Sequence, residues 1–299
     1  MNSPAYRTIG IACAIAGVLA FSAKAVIAKL LYRYGVDPVT LVAMRMAIAL
    51  PVFVGIGLWV ARTTDSPPVS RREWLALLGI GLVGYYAASL LDFLGLQYVT
   101  AGIGRLIMFA YPTVTVAISA LFLKRPVTRA DMLALGITYA GVALVLSNAI
   151  DGQQENLALG ALLIAGAAVF TAVFLVWGAE SIRRVGSMRF SAYAMSLAAI
   201  PSIVQFPLLR PMSRLDLPLE AWGLAVMLSL VCTVLPIFLT SEALKRVGAN
   251  HVSLLGALGP VMTILISSIV LGERMSPLQW LGAVLVMAGV ALVTMRPSR

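Results

Sequence analysis

Six ionisable side chains, Lys24, Lys29, Arg45, Asp92, Arg105 and Glu242, stand inside long apolar stretches of this sequence. A charge at the centre of a bilayer costs about 3 kcal/mol or more, so each must turn inward to a partner or a cavity, or reach an interface. Lys24 lies nearest the middle of its stretch. With Arg105 it is placed to meet the carboxylate of a small solute, and a structural ion pair between Asp92 and Arg105 is the competing use of that arginine. Glu242, beside Lys245 and Arg246, reads as a rim ion pair, and Lys29 is long enough to snorkel to an interface. His251, the only histidine, is a proton relay or a packing residue near one edge of the membrane.

Aromatic residues add a second pattern. Phe170, Phe174 and Trp177 recur at i, i+4 and i+7 and share one helix face, as do Tyr85, Ser89 and Asp92. The comparable face in the first stretch, Phe21, Ala25 and Ala28, is mostly small. Phe21, Lys24, Tyr85, Ser89, Arg105, Tyr111, Phe170, Phe174 and Trp177 are therefore the candidate walls of a solute cavity suited to an apolar or aromatic molecule. The same stripes serve equally as contacts to lipid or neighbouring helices. No catalytic set competes: there is no second histidine, no acid paired with a nucleophile, and no Gly-rich phosphate loop followed by Lys and Ser/Thr. Cys13 and Cys232 sit in apolar stretches without CxxC or Cys/His spacing, so no metal, disulfide or cofactor is expected.

The elements that hold these residues follow from composition. Of 299 residues, 61% are hydrophobic and 11% charged, and mean hydropathy is +0.97. A soluble domain carries about 25% charged residues, so the bilayer must be the solvent. Spans of about 20 apolar residues are read at 9–31, 39–61, 74–97, 102–123, 130–148, 158–180, 190–209, 221–244, 249–271 and 278–295. The net charge of +10 lies in short clusters between the spans, which fits lipid headgroups and argues against nucleic acid as a partner. Fourteen Lys and Arg residues fall on the side of the amino terminus and four on the other, so both termini are expected in the cytoplasm.

A shift of 148 residues lays Pro112 on Pro260, Thr115 on Thr263, Ser119 on Ser267, Leu123 on Leu271 and Trp74 on Trp222, and superposes Ala140–Val145 on an identical run, Ala288–Val293. Near the start, a shift of 149 pairs Ala16, Gly17, Phe21 and Ala23 with Ala165, Gly166, Phe170 and Ala172. Two repeats, 1–148 and 149–299, then hold five spans each. An odd number inverts the second against the first, the arrangement many secondary transporters use around a midplane site. Pro112 and Pro260, at equivalent depths, deprive the carbonyls of Met108 and Gly256 of their helical partners. They predict paired bends that act either as hinges or as static kinks that shape the cavity, with Thr115, Ser119, Thr263 and Ser267 supplying hydroxyls.

These features, together with the first span Ala16-Gly-Val-Leu-Ala-Phe21, the ending Val270-Leu-Gly-Glu-Arg274 and the final Gly282–Gly289 span, resemble the drug/metabolite transporter superfamily. The likeness is to its ten-span members with two EamA-type halves, most of all the bacterial exporters of aromatic amino acids and related metabolites. The resemblance implies an all-α inner-membrane exporter that works by alternating access on a small-molecule substrate, without cofactor and without enzymatic activity. A monomer is compatible with it, and oligomeric state is left open. The four-span multidrug members carry an acidic residue in the first span, where this sequence has Lys24 and Lys29, which argues against cationic drugs. A nucleotide-sugar or sugar-phosphate carrier is the alternative within the class, and a membrane enzyme or receptor the alternative outside it.

Overall fold

In lipid every backbone N–H and C=O must be satisfied within the protein, and apolar stretches of this length meet that demand as helices. The computed structural model describes residues 4–63, 68–124, 126–150, 156–256 and 258–294, and these are helical apart from short turns. We number the crossings α1 (Pro4–Arg33), α2 (Pro38–Thr63), α3 (Arg71–Gly95), α4 (Ala101–Phe122), α5 (Arg129–Ile150), α6 (Leu157–Val185), α7 (Ser187–Leu209), α8 (Leu219–Leu244), α9, which ends as Gly259–Leu271, and α10 (Pro277–Thr294). The first eight are long and apolar enough to cross a membrane, and the last two are shorter apolar helices. The side chain of His251, together with Arg125, Arg299 and most of the connector 151–156, lies outside the described residues.

Between α8 and α9 the helical hydrogen bonding runs on from Leu235 to Gly256. The chain nevertheless reverses there. A side chain on Gly10 would meet Arg246 and Val247, whereas Ser22, twelve residues further along α1, donates to the carbonyl of Gly259 at 3.0 Å. Ten crossings result, with the first and last described residues at one end of the bundle (the termini end) and the tight turn at Gly35 at the other (the Gly35 end).

The repeat is written into local structure. Lys124 and Gly272, 148 apart, both end their helices in the left-handed region, at φ 53° and 72°, each with its N–H bonded back to Ser119 or Ser267. Thr128 with Asp131, and Ser276 with Gln279, form equivalent reciprocal caps at the starts of α5 and α10. Contacts between the halves are reciprocal too. A Cβ on Gly141 would stand 2.7 Å from the carbonyl oxygen of Gly282 and press on Val286, while Gly289 meets Ala134 and Thr138 in the same way. Likewise Gly17 lies against Leu239 and Gly166 against Leu91. If residue i meets j and the equivalent of i meets the equivalent of j, a two-fold axis relates the halves. Accordingly α1 packs on α8 and α9, α6 on α3 and α4, α2 on α7 and α5 on α10. The protein is thus an all-α membrane protein of two five-helix inverted repeats.

Two features depart from regular helix. The segments Leu82–Ala87 and Met227–Val234, at nearly equivalent places in the halves, are wide π turns, which rotate every side chain before them relative to those after. The prolines do more than bend their spans. Phe109–Ala110 and Leu258 break α4 and α9, and Pro112 and Pro260 are the second residues of the helices that restart, where a missing N–H costs nothing. The hydroxyls expected at the Met108 and Gly256 carbonyls bond elsewhere: Thr115 to Tyr111, Ser267 to Ile264, and Thr263 to both Gly259 and Ser22.

A buried cationic cluster as the candidate functional site

Four spans deliver charge to one place. Lys24 of α1 and Asp92 of α3 form an ion pair with Nζ–Oδ2 at 2.7 Å, and both residues are buried. The Lys24 ammonium also lies over the rings of Phe93, at 4.9 Å, and Phe21, at 5.6 Å. Arg45 of α2 approaches the Phe93 ring at 5.2 Å, and Arg105 of α4 stacks on Phe21 at 4.4 Å. The sequence Arg105, Phe21, Lys24, Phe93, Arg45 is thus a ladder of alternating cations and rings, with Asp92 on its middle rung. Cation–ring contacts are worth about 2 kcal/mol each when desolvated, less than the several kcal/mol that burying each charge costs. Among the described residues, one carboxylate faces three cations.

The cations are only partly satisfied. Arg45 is 4% exposed, and its Nε and Nη2, like Nε of Arg105, are buried without a hydrogen-bond partner. Guanidinium groups are donors only, so what these atoms lack is an acceptor. The backbone around them is fixed: Tyr32 donates to the Phe93 carbonyl at 2.7 Å, while Ser22 and Thr263 tie α1 to the α9 break. Phe21 is 40% exposed even with Arg105 stacked on it, so the ladder reaches the surface of its span.

The expected Asp92–Arg105 pair is corrected here: Asp92 takes Lys24 as its partner. Spans α3 and α4 are consecutive but separate beyond the Gly95–Thr100 turn, because Gly102 nests on Ile264 of α9 and Gly104 on Ile164 of α6. Arg105 is thereby carried across to Phe21 and Gly259. Tyr111, beside the α4 break, stands edge-on to Phe109 and within electrostatic reach of Arg105.

The remaining candidates assemble elsewhere. Tyr85, turned by the π segment, packs on Phe174 with ring centroids 4.9 Å apart, and Phe174 packs in turn on Phe190 of α7. Trp177 meets Phe122 at 5.7 Å. Phe174 and Trp177 also line a groove of about 710 Å³ between α3 and α6, whose mouth carries Ser70, Arg72, Glu73 and Arg184. None of the cluster residues lines that groove, so this groove and the buried charges are separate features. Ser89 and Phe170 are half-buried. Arg45 was visible as an intramembrane charge but carried no assigned role, since only the fold shows that α2 meets α3 at its depth. Glu242 does form the expected local pair, with Arg246 at 2.7 Å.

An inverted-repeat helical bundle with unsatisfied charge at a buried, multi-span site defines a membrane carrier. The family model of EamA-like transporters matches the chain twice, over residues 8–147 and 158–295, and the chain belongs to that family, within the drug/metabolite transporter superfamily. It is 27% identical to the uncharacterized transporter YcbK of Bacillus subtilis, with 89% of this chain and 86% of that one aligned. It is 25% identical to a probable terminal-alkyne amino-acid exporter of Streptantibioticus cattleyicolor (88% and 85%), and 24% identical to a probable amino-acid metabolite efflux pump of Salmonella typhimurium (72% and 74%). A solved crystal structure at 19% identity superposes with a TM-score of 0.62 over 98% of both chains, which supports the fold alone.

Proposed function

We propose that this multi-pass transporter exports small carboxylate-bearing metabolites across the bacterial cytoplasmic membrane by alternating access, amino acids with apolar or aromatic side chains and their close derivatives. The observation that carries the reading is the ladder of Lys24, Arg45 and Arg105 around a single carboxylate, beside the accessible Phe21 ring. Its unpartnered guanidinium donors call for an anionic group, and Phe21 with Tyr111 offers a surface for an apolar tail. Two relatives bear names of amino-acid or amino-acid-metabolite export. The excess of Lys and Arg in the termini-end connectors orients that end to the cytoplasm.

Movement between the two access states would use the breaks at Pro112 and Pro260, about which α3–α4 and α8–α9 rock as pseudo-symmetric pairs. A monomer suffices for such a cycle, and no nucleic acid enters it. A sugar-phosphate or nucleotide-sugar cargo is the second reading, favoured by the same three cations. Counterflow in proteoliposomes, with labelled L-phenylalanine and a labelled hexose phosphate, with and without a pH gradient, tests both. The first reading expects phenylalanine exchange above that of protein-free vesicles. Exchange of the phosphate ester alone would replace it with the second.

A further inference from the structure

Resting on the reading of the cluster as the cargo site, we infer that it selects a carboxylate without a neighbouring ammonium: a net-anionic acid, such as the 2-oxo, 2-hydroxy or N-acylated form of an apolar or aromatic amino acid.

Asp92 is the one carboxylate at the cluster among the described residues, and Lys24 holds it at 2.7 Å. An incoming ammonium would have to displace a partner tethered in the same chain, which acts at high effective concentration. With Lys24 and Asp92 neutralising each other, Arg45 and Arg105 leave two positive charges uncompensated. Their empty positions, Nε and Nη2 of Arg45 and Nε of Arg105, are all donors. A carboxylate can answer the donors of either guanidinium, bidentate geometry being open to each, whereas an ammonium supplies further donors and like charge. Rejection of the wrong cargo by repulsion adds selectivity to that given by contact with the right one. Phe21 and Tyr111 then take the apolar part, as they would for either form.

The test compares L-phenylalanine with phenylpyruvate and N-acetyl-L-phenylalanine as competitors and as labelled cargo in proteoliposomes at pH 7, with protein-free vesicles as the control for leak. Wild-type protein suffices for the primary result. The expected outcome is that both deaminated or acylated acids compete at least 10-fold more strongly than phenylalanine and are carried as labelled cargo. Arg45→Gln should reduce the 10-fold preference, and Arg45→Lys should restore part of it. If phenylalanine is carried and the acids neither move nor compete, the inference falls while the proposed function stands. If neither cargo moves, the proposed function falls and takes the inference with it.

Discussion

The Gly35 half of the molecule and the termini half are built from the same ten helices, yet they pack differently. In α2, Pro38 to Met46 are all buried, so the helix is enclosed on every side, whereas beyond Ala49 only Phe53, Gly57 and Val60 are buried, a single i, i+4, i+7 face. Helix α1 repeats the contrast in reverse: Lys24 to Ala28 are buried without interruption, but before Phe21 burial is confined to Gly10, Ala14 and Gly17, the face that meets α8. Polar contacts follow suit. At the Gly35 end the Glu273 carboxylate accepts from the Ala101 N–H at 2.9 Å, Arg33 donates to the Leu271 carbonyl, and Arg210 reaches Asp37, all between spans. Described ion pairs at the termini end, Glu180 with Arg183 and Arg184 and Glu242 with Arg246, join residues of one helix. Contacts between spans there include a long 3.5 Å bond from the Tyr193 hydroxyl to the Gly57 carbonyl, and Arg246 over the Tyr6 ring. One half is closed and tied, the other splayed, and the cluster sits where they meet. An inverted repeat makes such asymmetry reversible, because each half of the sequence can adopt the packing of the other.

The comparison breaks most sharply at the cluster. Asp92→Asn removes its carboxylate and strands Lys24, a loss of about 3–5 kcal/mol, and the double change with Lys24→Gln should recover much of it. Melting followed by size-exclusion chromatography in detergent will show whether the two losses are merely additive, which would deny the pair. Next in size is Gly141→Val, which drives a side chain into the Gly282 backbone at the α5–α10 contact. Overpacking of this kind costs about 1–3 kcal/mol, and Gly289→Val should cost a similar amount if the two-fold reciprocity is real.

Glu273→Ala leaves the first turn of α4 without its acceptor and should lower stability by about 1 kcal/mol, loosening the Gly35 end rather than the termini end. The smallest effect is on pH. Burial works against the charge of Asp37, but its bonds from Thr40 and the nearby Arg210 hold its carboxyl below the usual carboxylate range. A depressed value stabilises the fold above the unfolded pKa of about 3.9, and that contribution fades as pH falls through the lower folded value. Because the Arg210 side chain is 37% exposed, the loss should stay under about 1 kcal/mol, seen as a slightly lower melting point below pH 4 that Asp37→Asn abolishes.

Most of the fold was legible because lipid leaves few choices. Ten apolar runs, their breakers and the 148-residue shift are all in the sequence, and the shift reappears in structure down to the caps at Lys124 and Gly272. Membership of the cluster was legible in part, since Phe21, Lys24, Asp92 and Arg105 stand out as charge and aromatic in the wrong solvent. Their pairing was not. Sequence position gives depth along a span, and by depth Asp92 and Arg105 match, but which helix faces which is decided by Gly102, Gly104 and their partners on α6 and α9. The π turn before Ala88 is equally silent in the hydrophobic pattern, so Tyr85 leaves the face it was expected to share with Asp92.

The claim that the cluster is a cargo site open toward the termini half and closed from the Gly35 half can be tested on Phe21, the exposed ring of the ladder. In a protein with Cys13 and Cys232 replaced by Ala and Phe21→Cys introduced, reconstituted in known orientation, a membrane-impermeant thiol reagent should label the new cysteine from the termini face. Labelling should slow when cargo is present and should be far weaker from the Gly35 face. Equal labelling from the Gly35 face, or labelling from the termini face that cargo does not slow, would contradict the account.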